Sequence, residues 1–394
     1  MEQLIPAVKD YDWGSPTAIP EFTRAAAPGG PVAEYWYGIH PEGLTRLPDG
    51  TTLAGAVEAD PDSTLGADVV YAFGPTLPYM MKLVAPASPL SLQVHPTSGQ
   101  AREGFEIENT LGIPLDAPER TYRDRNHKPE MIYALTDFEA LCGFRVPRRV
   151  HELLDGLEGK MAFRLTWRLR RLTAARGIRS VVSSLFDPDH PLDPEEIAEF
   201  ADQCASRLAR GESPSERIDR MVVDLQQRFP GDPGVVVAFL MNPVSLKPGE
   251  ALFIPAGVVH SYRSGLGVEV LSSSDNVVRA GLTHKHVDAE RLIDIADFDP
   301  VPPVRIAPER PRPATERFYA PVQDFELSVT TVDGSDVSVL GTGPRVLMCI
   351  EGEVTVRDAG SPVRLGRGDA VFARSADGAV LASGHGRVVQ TSVP

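Results

Sequence analysis

The spacing of hydrophobic and polar positions changes along the chain. From the start to about Phe144, short apolar runs such as EYWYGIH, YMMKLVA and LSLQVHP are separated by proline and glycine. Short apolar runs bounded in this way are typical of β-strands joined by loops. The first part of the chain is therefore predicted to be β-structure with long loops.

Between residues 147 and 230 the pattern becomes typical of helices. Segments 193–196 and 213–216 each offer a polar N-cap residue, a proline at the first helical position and an acidic residue two positions after it. After the second start, apolar residues recur at helical spacing as far as Pro230. These positions are Ile218, Met221, Val222, Leu225 and Phe229.

After Gly234 the β-like pattern returns with VVVAFLM, ALFIPAG and VEVLSSS, and DAERLIDIADF then predicts a short helix. The proline-rich stretch DPVPPVRIAPERPRPA predicts a linker before the last segment, 315–394. Segment 365–384 resembles segment 246–262, except that it has no histidine where His260 stands. Two related β-barrels, of which only the first holds a site, would explain this likeness.

The charge balance is acidic, with 54 Asp and Glu against 39 Lys and Arg. This balance disfavours nucleic acid and anionic membranes as partners, and an anionic substrate requires a local basic cluster. Cysteines 142, 204 and 349 suggest neither a disulfide framework nor a thiolate metal site. The N-terminal residues do not resemble a signal peptide, so we expect a cytoplasmic protein, and the charge pattern and linker suit a monomer.

One candidate metal ligand follows from the spacing G-x5-P-x-G-x2-H in segment 249–260. This spacing resembles the second conserved motif of cupins, which are small jelly-roll barrels that hold a metal ion inside. Pro255 and Gly257 suit a tight turn, after which His260 begins a strand and points inward.

Three more candidate ligands lie upstream. Gln93 and His95 are two residues apart, so on a strand their side chains point to the same face. Glu130 is the fourth candidate. Two imidazoles, a carboxylate and an amide oxygen suit a divalent ion such as zinc, and we expect one Zn²⁺ per chain. Each of these residues taken alone is weak evidence for a metal.

Two longer motifs carry a resemblance to a known family. Segment 122–130 has the form Y-x-D-x-N-H-K-P-E and matches the first signature of type I mannose-6-phosphate isomerases at every fixed position. A second block resembles the second signature of that family. Its matching positions are His260, Glu269, Ser274, Asp275, Asn276, Arg279, Gly281, Leu282, Thr283 and Lys285.

The resemblance covers almost the whole chain and implies its architecture. The expected fold is mainly β, with a cupin-like jelly-roll domain carrying the metal site in 1–146 and 231–299. An α-helical insertion occupies 147–230, and a second cupin-like β-barrel without metal occupies 315–394. By the same resemblance the zinc ligands are Gln93, His95, Glu130 and His260. The implied lining of a sugar-phosphate pocket is Trp13, Ser91, Lys128, Glu269, Asp275, Arg279 and Lys285.

The activity that the resemblance implies is interconversion of mannose 6-phosphate and fructose 6-phosphate. Such a reaction moves a proton between C1 and C2 through an enediol, with zinc stabilising the negative charge on the sugar oxygens. Glu269, Asp275 and His127 are candidate bases among which the sequence does not choose. Arg279 is a candidate for binding the phosphate, with Lys285, or for facing the reacting carbons, and Lys128 for stabilising charge.

Three other functions remain open at this point. A cupin oxidase or dioxygenase would use iron, although Gln93 and Lys128 do not fit its usual ligand set. A sugar-binding regulator would have kept the pocket without the activity. A related isomerase would act on another aldose phosphate.

Overall fold

The computed structural model describes residues 1–284 and 287–394, so the predicted substrate-binding residue Lys285 lies outside the described residues. The structure is mainly β, with three sheets whose paired strands all run antiparallel. Within the described ranges, no helix has the length and apolar character needed to cross a bilayer. The strands are β1 (Glu2–Leu4), β2 (Ala7–Lys9), β3 (Glu34–Tyr37), β4 (Tyr79–Val84), β5 (Gln93–Val94), β6 (Glu130–Ala134), β7 (Phe138–Phe144), β8 (Met241–Leu246), β9 (Ala251–Ile254), β10 (His260–Ser264), β11 (Gly267–Ser272), β12 (Val278–Arg279), β13 (Val304–Ile306), β14 (Glu309–Arg312), β15 (Thr315–Phe318), β16 (Glu326–Asp333), β17 (Val337–Ser338), β18 (Arg345–Arg357), β19 (Val363–Gly366), β20 (Ala370–Ala373) and β21 (Leu381–Ser392).

Helices occur between these strands, and six of the twelve in the described ranges lie between residues 147 and 240. They are α1 (Ala18–Thr23), α2 (Leu53–Ala59), α3 (Pro61–Leu65), α4 (Ala67–Phe73), α5 (Ser98–Thr110), α6 (Pro147–Leu154), α7 (Gly159–Arg171), α8 (Ala174–Leu185), α9 (Pro194–Ala209), α10 (Glu216–Arg228), α11 (Gly234–Leu240) and α12 (Ala289–Ile295). The first five show that the predicted long loops of the N-terminal part contain short helices. α12 confirms the short helix expected in DAERLIDIADF.

Two sheets enclose the site. The seven-stranded sheet has the order β13-β9-β6-β11-β4-β3-β2, and the five-stranded sheet has the order β12-β5-β10-β7-β8. Side chains of both sheets, including Ile132, Cys142 and Leu252, form one buried apolar cluster. The two sheets therefore pack face to face, with polar site residues on the same inner faces.

The seven-stranded sheet is buried on its other face as well. Met81, Leu83 and Val268 belong to a separate apolar cluster that includes Phe372 of the C-terminal sheet. Because side chains alternate along a strand, residues between these positions point to the inner face. Burial of both faces explains why β4 is a nearly continuous apolar run.

The C-terminal sheet has nine strands, with β1-β20-β18-β21-β16-β15-β14 as its main order. The predicted linker contains two strands, which corrects that expectation. β13 pairs with β9 of the seven-stranded sheet, and β14 pairs with β15 of the C-terminal sheet. Both strands lie at sheet edges, where Pro311 of β14 is tolerated.

The helical starts are predicted correctly in one case and wrongly in another. At α9, Asp193 caps the helix by accepting a hydrogen bond from the Glu195 amide, as expected. α10 begins at Glu216, three residues after the proposed N-cap Ser213. The Ser213 hydroxyl donates instead to Asp219, which also pairs with the buried Arg207.

The run VVVAFLM was predicted to be a strand, and this was wrong. Residues 234–240 form α11, all of whose residues are buried. Its apolar side chains belong to the cluster that also holds α6 to α10. A helix that is buried all round has no polar face, so hydrophobic periodicity cannot distinguish it from a buried strand.

The start of α11 makes a close backbone contact with the turn that follows β12. A Cβ atom on Gly281 would lie 2.5 Å from the Cα of Gly234, and Gly281 has a φ of 108°. Asp232 holds the same two segments together, because its carboxylate accepts hydrogen bonds from the Gly234 amide at 2.7 Å and the Thr283 amide at 3.1 Å. This contact fixes the chain just beyond Arg279.

Gly281→Ala is expected to lower the free energy of unfolding by about 2–3 kcal/mol, because the methyl group overlaps the backbone and the φ is strained. Urea unfolding followed by circular dichroism measures the change. Gly343→Ala is the matched control, since a Cβ atom added at Gly343 would meet no other atom within 4 Å. Equal unfolding midpoints for the two variants would show that the contact is not tight.

Candidate active site

A cavity of about 910 Å³ opens between the two packed sheets. It collects side chains that are far apart in the sequence, and most of the predicted site residues lie on its wall. Those predicted residues are Trp13, Ser91, Gln93, Lys128, Glu130, His260, Glu269, Asp275 and Arg279. The sequence motifs and the cavity therefore identify the same region of the protein.

His95, Glu130 and His260 form a buried group whose ligand atoms all lie within 4.8 Å of one another. Nε2 of His95 is 3.2 Å from one oxygen of Glu130, and Nε2 of His260 is 3.1 Å from the other. The register explains this meeting, because His260 is paired with Gln93 across β10 and β5. These three side chains are able to hold a metal ion.

The second ring nitrogen of each histidine is held by the backbone. Nδ1 of His95 lies 2.7 Å from the carbonyl oxygen of Asn276, and Nδ1 of His260 lies 3.0 Å from that of Val258. A carbonyl only accepts, so each Nδ1 carries a proton, and Nε2 is the atom of each ring whose lone pair is left for a metal ion when the ring is neutral. Metal-binding histidines are oriented in this way in proteins.

The pKa values of His95 and Glu130 favour ligands without bound protons, whereas that of His260 is raised, because the hydrogen bond and charge of Glu130 outweigh burial. Burial, together with the nearby Lys128, lowers the pKa of His95 to about 4. Burial acts to raise the pKa of Glu130, but the charges and hydrogen bonds of His95 and His260 outweigh it and lower this pKa well below its ordinary value. A neutral imidazole next to an ionised carboxylate is the state that binds a divalent ion.

Gln93 lines the cavity next to this group, as the register partner of His260. Its side-chain nitrogen donates to the Ser91 hydroxyl at 3.3 Å, so its carbonyl oxygen is the atom available as a ligand. Nζ of Lys128 lies 3.9 Å from Glu130 and brings a positive charge to the edge of the group. Two imidazoles, a carboxylate and an amide oxygen fit zinc, which leaves space in its coordination shell for a substrate oxygen.

A second buried polar group was missed in the sequence. Nζ of Lys82 lies 3.1 Å from Glu269 and 3.7 Å from Glu34, and all three line the cavity. Alternation along β4 puts Lys82 on the inner face, and its register partner on β11 is Glu269. The indole nitrogen of Trp36 donates to Glu34 at 2.6 Å. A single charged residue within the apolar run YMMKLVA was the signal that could have identified it.

Burial raises the pKa of Glu269, and the negative charges of Glu130 and Glu34 raise it as well. The positive charge of Lys82 lowers it but does not outweigh these effects. Asp275 behaves differently. Burial acts to raise its pKa, but the hydrogen bond from His40 and the nearby cations outweigh it and lower the pKa. His40 was also missed, although it is buried in the cavity wall with Nε2 3.4 Å from Asp275.

His127 lies elsewhere. Its Nε2 is 3.0 Å from Asp324 of the C-terminal region, and it is not among the residues that line the cavity. His127 therefore does not share the cavity wall with the other two candidate bases, Glu269 and Asp275. Arg279 does line the cavity, and burial, together with the nearby Arg123, lowers its pKa.

A network of hydrogen bonds fixes the loop that leads to Glu130. Asp124 accepts from the Asp275 amide at 2.7 Å and from the Ser274 hydroxyl at 2.9 Å. The Asn276 side chain donates to the carbonyl oxygens of Asp124 and Asn126, both at 2.9 Å. The two motifs recognised in the sequence are thus joined, and Asn276 in turn orients His95.

The cavity combines a buried group able to hold a divalent metal with lysine, arginine and carboxylate side chains, and this defines the class of proteins with a candidate metal site in a polar pocket. Residues 1–147 match the family model for the type I phosphomannose isomerase catalytic domain. The chain is 33% identical to mannose-6-phosphate isomerase of Escherichia coli. The match covers 99% of this chain and 99% of the Escherichia coli protein. The chain belongs to the type I phosphomannose isomerase family.

More distant relatives and solved structures agree. Human mannose-6-phosphate isomerase is 30% identical, with 93% of this chain and 91% of the human chain covered. The crystal structure of mannose 6-phosphate isomerase from Salmonella typhimurium bound to substrate (f6p) and zinc superimposes with a TM-score of 0.90 at 34% identity. That match covers 100% of this chain and 99% of the other. A structure of mannose 6-phosphate isomerase bound with zinc and yttrium has a TM-score of 0.91, also at 34% identity and with the same coverage.

Proposed function

We propose that this chain is a zinc-dependent aldose–ketose isomerase that interconverts mannose 6-phosphate and fructose 6-phosphate through an enediol. The observation that carries the proposal is the His95–Glu130–His260 group in a cavity that also holds Lys128 and Arg279. The names of the relatives support the reaction, and the Salmonella structure bound to fructose 6-phosphate and zinc supports the substrate and the metal.

Gln93, His95, Glu130 and His260 would hold the zinc ion. When bound, the ion acts as a Lewis acid that stabilises negative charge on the sugar oxygens. Lys128 adds a positive charge at 3.9 Å from Glu130 and stabilises the same developing charge.

Glu269 is the group that we propose moves the proton between C1 and C2. It is buried in the cavity wall, and burial raises its pKa above that of an ordinary carboxyl group. A base works best when its pKa is near the working pH. Asp275, whose pKa is lowered, is better suited to hydrogen-bonding the sugar hydroxyls as a permanent anion.

The phosphate and the sugar ring need separate contacts. Arg279 lines the cavity at β12 and is proposed to bind the phosphate, and Lys285 is proposed to assist it from the following segment. Trp13 stacks on Tyr11 with ring centroids 5.6 Å apart and offers an apolar surface to the sugar. Ser91 also lines the cavity and offers a hydroxyl group to the sugar.

The two packed sheets are proposed to form a cupin-like jelly roll from 1–146 and 231–299, with 147–230 as the helical insertion. The nine-stranded sheet is proposed to form a second cupin-like barrel in 315–394. Support comes from corresponding elements of the two related segments. β8, β9 and β10 follow one another in the first, and β19, β20 and β21 in the second.

The test is to incubate zinc-loaded protein with mannose 6-phosphate and to measure fructose 6-phosphate in a coupled assay. A chelator-treated sample and the His260→Ala variant are assayed in parallel, with glucose 6-phosphate as an alternative substrate. We expect product from mannose 6-phosphate that disappears in both controls. Folded, zinc-loaded protein that forms no product from mannose 6-phosphate would contradict the proposal. Faster conversion of glucose 6-phosphate would show that the proposed substrate is wrong.

Asp124→Ala is expected to lower kcat/KM about tenfold without loss of folding, because Asp275 and the loop that orients His95 lose their anchor. The coupled assay and circular dichroism measure both quantities. Asp116→Ala, at an exposed position of a neighbouring loop, is the control and should retain full activity. Unchanged activity of the Asp124 variant would show that the network does not position the site.

A further inference from the structure

A second cavity, of about 550 Å³, lies away from the site described above. It is bordered by the end of β7, the start of β8, one side of α6, the first turn of α10 and the proline-rich segment 300–303. Its size is within the range of small-molecule pockets, which is roughly 300–1,000 Å³. None of its lining residues belongs to the proposed metal or sugar-phosphate site.

Arg145 is the unusual residue of this cavity. Only 6% of its surface is exposed, and its Nη2 has no hydrogen-bond partner among the described residues. Burial, together with the charge of Arg217, lowers the pKa of Arg145 to about 10, so it remains a cation at neutral pH. A buried charge without a counter-charge is costly, and proteins keep such groups mainly where they bind something.

The surroundings add positive potential. Arg149 and Arg217 also line the cavity, although each is paired, with Glu152 and Glu139 respectively, at 2.6 Å. α10 presents its first turn to the cavity through Ser215, Arg217 and Ile218, whereas α6 lines the cavity along one side. The N-cap residue of α10, Ser215, forms no side-chain cap hydrogen bond. Uncapped helix N-termini attract anions through their free amide groups.

Much of the remaining wall is apolar, although Glu152, Ser215 and Asn242 also line it. Phe144, Leu153 and Ile218 are buried in that wall. Five prolines are also part of the lining: Pro214, Pro243, Pro300, Pro302 and Pro303. A ligand with one oxyanion group and an apolar body fits both parts of the cavity.

We propose that this cavity is a second ligand site, which binds a small organic oxyanion through Arg145 and holds its apolar body against Phe144, Leu153 and Ile218. Carboxylates and phosphates both match the planar guanidinium. The proposal goes beyond isomerase activity and does not depend on it.

The experiment is isothermal titration calorimetry of the full, zinc-loaded chain with benzoate and with phenyl phosphate, each up to about 10 mM. Saturating mannose 6-phosphate is present to occupy the first cavity. Inorganic phosphate tests the anion without an apolar body, and benzamide tests the body without the charge. We expect at least one of the two aromatic anions to bind at least tenfold more tightly than either comparison compound.

Arg145→Gln is expected to weaken that binding about 10- to 100-fold, because a charge-assisted contact is lost. Arg148→Gln is the matched control, since Arg148 is the exposed neighbour in α6 and does not line the cavity. It should bind like the unmodified protein. Which of benzoate and phenyl phosphate binds better identifies the head group as carboxylate or phosphate.

Thermal unfolding without ligand separates binding from folding. Arg145→Gln should unfold at the same temperature as the unmodified protein or a higher one, because a buried charge without a partner is removed. A lower unfolding temperature would show a structural role and overturn the assignment. Absence of binding by both aromatic anions, equal binding of benzamide, or undiminished binding to Arg145→Gln would also overturn it.

Discussion

Glu130→Gln is expected to abolish zinc retention and to lower kcat/KM for mannose 6-phosphate by at least about 1,000-fold, which corresponds to roughly 4 kcal/mol. The carboxylate oxygens of Glu130 lie 3.1–3.2 Å from Nε2 of the two histidines. Glu130 also supplies the negative charge of the ligand set. The amide has nearly the same shape but no charge. The change therefore separates the electrostatic contribution of Glu130 from its packing.

Zinc content by mass spectrometry and the coupled assay measure the two effects. Glu139→Gln is the control, because Glu139 lies on β7 and pairs with Arg217 rather than facing the cavity. It should keep both zinc and activity. A Glu130→Gln protein that retained stoichiometric zinc and high activity would remove this carboxylate from the site.

Lys82→Met is expected to lower the free energy of unfolding at pH 8 by about 3–5 kcal/mol, because it leaves Glu269 and Glu34 as buried carboxylates without a cation. Activity should fall as well, since Glu269 would hold its proton at the working pH. Urea unfolding at several pH values measures the stability. The exposed Lys247→Met, whose partner is Asp137, should change it by less than about 0.5 kcal/mol.

The sign of the pH dependence follows from the two pKa values. In the unmodified protein, burial acts to lower the pKa of Lys82, but the charges of Glu269 and Glu34 outweigh it and raise this pKa. The contribution of Lys82 to the stability of the folded state is therefore fully present below its ordinary pKa and is lost only as the pH rises through the raised pKa. In the variant, the pKa of Glu269 rises further above its unfolded value. A raised carboxyl pKa favours the folded state at low pH and disfavours it as pH rises through that pKa. The stability difference between the two proteins should therefore be smaller at pH 5 than at pH 8.

A double variant tests the pairing itself. Lys82→Met combined with Glu269→Gln should recover part of the stability lost by Lys82→Met alone, since one uncompensated carboxylate is removed. Independent, additive losses would show that the two side chains do not interact in solution.

Local motifs made part of this site predictable. The turn of 249–260 and the spacing of Gln93 and His95 place side chains at strand ends by geometry that is local in the sequence. Lys82 and His40 have no such motif. They reach the cavity because β4 and β3 pair in one register, and long-range pairing of this kind leaves little trace in a single sequence.

The fold shows the same division. The helical pattern of α9 and its Asp193 cap could be predicted because amphipathic helices show their period. The buried helix α11 could not, since its run of apolar residues has no period to detect. Strands β13 and β14 were missed because the prolines that flank β13 and the one within β14 resemble those of a linker.

The pairing of β1 with β20 has a consequence for how the protein is made. Glu2 and Arg374 form an ion pair although 372 positions separate them. A ribosome adds residues in order at roughly 5–20 per second, so the first strand is synthesised well before its partner exists. During that interval β1 is an unpaired segment that chaperones can occupy. Completion of the C-terminal sheet is thus a late event, because β1 can pair with β20 only after the two other sheets and the helices between them have been translated.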